Sequence, residues 1–107
     1  MNQEKNVPKM KIKYSKKFKN SFKNIISQYP WLEEKIWIVI IDFNKNLYHS
    51  EYFRKNFNYL NRKITELEFW WDWRILLEII IINDEIRLLN IWSHSSLELS
   101  SKKKLKI

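Results

Sequence analysis

Leu67–Leu97, LEFWWDWRILLEIIIINDEIRLLNIWSHSSL, is the stretch whose reading decides the fold. Two apolar runs rich in β-branched residues meet at Asn83-Asp84, and such runs flanking a two-residue polar break predict a β-hairpin. The chain contains no glycine, so the turn falls to Asn and Asp, the side chains that best tolerate a positive φ. Arg74 opens the first strand of the pair and His94 lies just past the end of the second. Antiparallel pairing about Asn83-Asp84 brings both towards one end of a sheet, and that end is the candidate functional site.

Working outward, the segment from Leu60 interleaves Arg62, Ile64, Glu66 and Glu68 with Lys63, Thr65, Leu67 and Phe69, which predicts a strand paired with the first run. Ile64 interrupts its polar series, so a twist or bulge is expected near Arg62-Lys63. Asn44–Tyr59, NKNLYHSEYFRKNFNY, has no clean period and predicts a long loop or irregular helical turn, with His49 read as a surface residue beside Arg54 and Lys55. Trp31–Asn44 carries Leu32, Ile36, Val39, Ile40 and Phe43 at helical spacing, with Pro30 at its start and Glu33 and Glu34 placed to complement the helix dipole. Ile36–Ile41 alone favours a strand, but the length of the segment and its flanking charges decide for a helix. Ser15 reads as the N-cap of an earlier helix bearing Phe18, Phe22, Ile25, Ile26 and Tyr29. Before it, Lys9–Tyr14 alternates as a short strand with Met10, Ile12 and Tyr14 on its buried face.

The order strand, two helices, then three or more strands predicts an α+β domain, two N-terminal helices packed on a curled antiparallel sheet of about four strands. At 107 residues it is one domain, read as an arm (1–8), a folded unit (9–100) and a basic tail (101–107). The uncovered sheet face then gathers Arg62 or Lys63, Arg74 and Arg87 into a basic concavity. No apolar run approaches the ~20 residues needed to cross a bilayer, and no secretory signal is evident at the lysine-rich N-terminus, so a cytoplasmic location is expected. The absence of cysteine excludes disulfides, zinc thiolates and cysteine nucleophiles. Two histidines and scattered carboxylates show no ligand spacing, so neither a metal nor a cofactor is expected.

A formal net charge of +8 suggests an anionic partner, nucleic acid first and an anionic membrane surface second. AT-rich codons alone enrich Lys, Ile and Asn, so the placement of Arg54, Arg62, Arg74 and Arg87 says more than the lysine count.

Trp71-Asp72-Trp73-Arg74-Ile75-Leu76-Leu77-Glu78-Ile79, the ending LLNIWSHSSL (88–97) and the lysine-studded SKKFKNSFKNI (15–25) together resemble the RelE/StbE and YafQ branch of the RelE/ParE superfamily of bacterial type II toxins. The resemblance spans Lys9 to Leu99. It implies an mRNA interferase, an endoribonuclease that inhibits translation by cutting messenger in the ribosomal A site and is neutralised by a cognate antitoxin. Arg74 stands where the family contacts the scissile phosphate, His94 where YafQ-like members place an acid/base histidine, and Asp72 and Trp73 match a further active-site pair. Arg62, Lys63, Arg87 and Arg54 are the remaining candidate RNA contacts. Trp92 replaces the usual glycine before the histidine, and Glu98 stands where an aromatic is common.

The chemistry suits these side chains without a metal, since attack by a 2′-hydroxyl on its own phosphate needs a base, an acid and a cation for the developing charge. Arg74 offers a planar fork that lysine cannot match. Two alternatives stay open. Arg74 pairs with Glu66 or Glu68 across the sheet, and the chain is a toxin-fold protein without nuclease activity, inactive or acting by binding as the gyrase-poisoning ParE branch does. The tryptophans divide between core, antitoxin groove and base stacking.

Overall fold

The computed structural model describes residues 10–93, so the expected arm, the basic tail, His94 and Glu98 lie outside the described residues. The elements are β1 (Lys11–Tyr14), α1 (Lys16–Gln28), α2 (Leu32–Asn46), β2 (Phe53–Tyr59), β3 (Arg62–Trp70), β4 (Trp73–Ile80) and β5 (Glu85–Ser93). They form an α+β fold with one five-stranded sheet in the order β1-β5-β4-β3-β2. The sheet has five strands and is mixed, because β1 pairs parallel with β5 while the other pairs are antiparallel.

The fifth strand is β2, inside the segment expected to be a loop. An irregularity between Phe53 and Lys55 breaks its two-residue period, which hides an edge strand from pattern reading. The rest of that segment extends α2 to Asn46 and forms a short 3-10 turn at Leu47–His49, leaving His49 exposed. Ile36–Ile41 is helical, with Ile36 and Ile40 fully buried. The Ser15 cap is present. Its Oγ accepts from the Phe18 amide at 3.0 Å and donates to the Leu89 carbonyl at 3.0 Å, so one side chain starts α1 and ties it to β5. Buried Asn44 fixes the start of β1 through paired 3.0 Å bonds to the Met10 amide and carbonyl. Tyr14, expected inside, is 53% exposed, since β1 is an edge strand with little above it.

Both helices cover one sheet face, where Phe18, Ile25, Ile36 and Phe43 meet Leu67, Ile75, Leu77 and Leu88. On the other face Ile64, Leu76 and Leu89 form a small cluster under Phe57, Tyr59 and Trp92. Ile64 therefore obeys the alternation of β3 rather than breaking it, and the irregularity in that strand lies between Glu68 and Trp70.

With no glycine, the tight turns use other residues in the left-handed region: Leu60 (φ 52°) and Asn61 (φ 65°) between β2 and β3, Trp71 (φ 52°) between β3 and β4, and Asp84 (φ 53°) before β5. The break expected at Asn83-Asp84 is there, widened by a 3-10 turn over Ile81–Asn83.

Candidate functional site

Antiparallel pairing of β4 with β5 sets Trp73 opposite Ser93 and Arg74 opposite Trp92. The β3–β4 turn and the last residues of β5 thus share one end of the sheet, as the hairpin reading required. The chain continues from Ser93 directly to His94.

Arg74 is buried, its side chain 8% exposed, and it takes the cross-sheet pairing left open in the sequence. Nε donates to Glu66 Oε2 at 2.9 Å, and Nη1 donates to the carbonyls of Trp71 at 3.1 Å and Trp73 at 3.3 Å. Those last two bonds clasp the turn that holds Trp71 at positive φ, so the guanidinium is part of the turn's architecture. Arg74 Nη1 also lies 3.8 Å from Glu68. Arg54 reaches both carboxylates, 3.5 Å from Glu66 and 3.5 Å from Glu68. Two arginines and two glutamates therefore alternate in a closed ring that is formally neutral. Arg74 Nη2 is the arm of the fork with no hydrogen bond among the described residues.

The other arginines lie towards the opposite end of the same face. Arg62 bonds Glu78 at 2.7 Å, and that hydrogen bond, outweighing burial and aided by the carboxylate's charge, holds its guanidinium above its ordinary value. Arg87 bonds Glu85 at 2.9 Å. Arg62, Arg74 and Arg87 do share the uncovered face, yet each is matched by a carboxylate, so that face is not the expected basic concavity. Lys63 has no carboxylate partner among the described residues and stands 5.7 Å over the Tyr48 ring. Asp72 is half-buried within the β3–β4 turn.

Trp73 follows the strand alternation to the helix side and packs on the main core, whereas Arg74 faces the other way. A single ligand touching both residues would have to wrap around the end of the sheet. Sequence reading missed Arg54 as a member of the ring, because an irregular edge strand offers no register from which to project it. Trp70 is the hub of an aromatic stack, 4.9 Å from Trp31 and 5.7 Å from Trp71, which fastens the β3–β4 turn to the α1–α2 connection.

No family model and no curated protein matches the chain. Solved structures do. A metal-bound toxin from Helicobacter pylori aligns with a TM-score of 0.66 at 19% identity, over 82% of this chain and 98% of that one. The solution structure of the H. pylori protein HP0894 gives 0.57 at 19% identity, over 80% and 96%. The RelBE2 toxin–antitoxin complex from Mycobacterium tuberculosis gives 0.51 at 9% identity, over 81% and 93%. The fold is that of RelE-like toxins. Among the described residues, no group of three His, Asp or Glu side chains is placed to hold a metal ion, and no helix is long and apolar enough to cross a membrane.

Proposed function

We propose that this chain is the toxin of a type II toxin–antitoxin pair and acts in the cytoplasm as a metal-independent endoribonuclease on ribosome-bound mRNA. The observation that carries the reading is the pairing of Arg74 with Trp92 at one end of a RelE-like sheet, two residues before His94. In the reaction a base removes the 2′-hydroxyl proton, the oxygen attacks the adjacent phosphorus, and the P–O5′ bond breaks as an acid protonates the leaving oxygen. The products are a 2′,3′-cyclic phosphate and a 5′-hydroxyl. His94 moves a proton, Asp72 belongs to the same active-site set, and the Nη2 arm of Arg74 bears on the phosphate oxygens. Lys63, Arg62, Arg54, Arg87 and Trp73 serve as contacts to flanking RNA.

A cognate antitoxin is the protein partner. Trp31 at the start of α2 and Ile38 and Ile41 on it are 57%, 48% and 55% exposed, an apolar surface of the kind that marks a protein contact. A charge of +8 favours an acidic partner.

One observation favours a second reading, a toxin-fold protein that binds without cutting: the Arg54–Glu66–Arg74–Glu68 ring neutralises the charge that phosphate binding needs. Incubating the purified chain with ribosomes translating a defined message separates the two. Cut messenger is expected. Intact messenger at stoichiometric toxin supports binding alone.

A further inference from the structure

Taking the RNA-directed role as given, we propose that the cleft between α1 and the closing end of β4 and β5 holds one unpaired nucleobase of the RNA, with adenine the best fit. The cleft measures about 240 Å³ and is lined by Ser21, Asn24, Gln28, Trp73, Ile91 and Trp92. That is below the roughly 300–1,000 Å³ of sites for drug-sized ligands and suits a single planar ring system. Its position is fixed by the core. Ser21 Oγ donates to Asn90 Oδ1 at 2.7 Å, which ties the middle of α1 to β5, and Ile25 is buried beneath.

The lining chemistry is that of base recognition rather than of a general apolar pocket. Trp73 offers, on the helix side, an indole surface on which a base stacks, an interaction open to any base because each has a π face, and Trp92 borders the cleft at the sheet end. Asn24 and Gln28 are four residues apart, hence neighbours on one helix face. Both are exposed, and neither side-chain amide makes a hydrogen bond among the described residues. Each amide presents a donor and an acceptor side by side, the complement of the adenine N6/N7 edge. On the same α1 stripe, one turn before Ser21, the exposed ammonium of Lys17 supplies a cation for the backbone phosphate.

This placement also accounts for Trp73 and Arg74 facing opposite ways. A base held against Trp73 on the helix side leaves its phosphate at the sheet end, where the Arg74 fork lies around the corner.

The test is a titration of the full chain with AMP, read from the six indole N–H signals in a nitrogen–proton correlation spectrum. The Trp73 and Trp92 signals should move, while those of Trp31 and Trp37 stay. Ribose 5-phosphate at the same concentration should leave Trp73 and Trp92 in place, which separates base from phosphate binding. The exposed pair Asn24→Leu/Gln28→Leu should weaken AMP at least about tenfold through two lost hydrogen bonds. Unmoved Trp73 and Trp92 signals, an equal response to ribose 5-phosphate, or wild-type affinity in the double variant each overturn the proposal. Message cleavage measured in parallel keeps the two ideas apart. AMP binding without cutting leaves the cleft and removes the nuclease; cutting without AMP binding does the reverse.

Discussion

The two faces of the sheet are built on different principles. The helix-covered face is closed mainly by apolar contact, with Leu67, Ile75, Leu77, Ile86 and Leu88 fully buried against α1 and α2. The opposite face has no helix over it among the described residues and holds only a three-residue cluster at its centre. Towards its ends it carries carboxylate–arginine pairs. Hydrophobic burial makes the first face insensitive to which apolar residue fills it, provided volume is kept. The second depends on particular partners, since removing one member of a buried pair strands the other. The proposed function draws on the second kind of surface and on the sheet end where the two meet.

Substitutions can break this contrast, and the largest effect is expected on the covered face. Leu77→Ala, at 0% exposure among helix residues, should lower stability by about 4 kcal/mol in urea unfolding. A loss below about 1 kcal/mol would show that the helices do not close that face. On the open face Arg74→Ala should cost about 3 kcal/mol, because Glu66 is 3% exposed and among the described residues retains only Arg54, at 3.5 Å. Arg54→Ala, by contrast, should cost under about 1 kcal/mol, since its side chain is 43% exposed and screened by water. Equal effects from the two arginines would dissolve the distinction between clasp and cover. At the turns, Leu60→Gly should stabilise the chain by about 1 kcal/mol by relieving a leucine held at φ 52°. A thermal midpoint that falls instead would mean that the Leu60 side chain contributes more than its backbone strain removes.

These contrasts also explain how far the sequence could be read. The helices, β3, the β4–β5 hairpin and the Ser15 cap follow from short-range rules of spacing and capping, and Arg74 was reachable because the hairpin fixes its end of the sheet. The parallel pairing of β1 with β5 was not, for it joins residues more than seventy positions apart and leaves no local period. Strand β2 was lost to its irregularity at Phe53–Lys55. Neutralisation of the open face was half visible: Glu66 and Glu68 could be set across from Arg74, but Arg54 enters only once β2 is known. Asn24 and Gln28 look like any solvated helix surface until Trp73 and Trp92 arrive beside them.

The central claim is that the sheet end bearing Arg74 breaks RNA. It is met most directly by timing message cleavage on translating ribosomes with the wild-type chain, His94→Ala and Arg74→Lys. Arg74→Lys keeps the charge but not the fork that bridges Glu66 and the turn carbonyls. Cleavage by the wild type, with each variant slower by roughly 10²-fold at unchanged fold, is the predicted result. Undiminished cutting by both variants, or no cutting by the wild type, would contradict it.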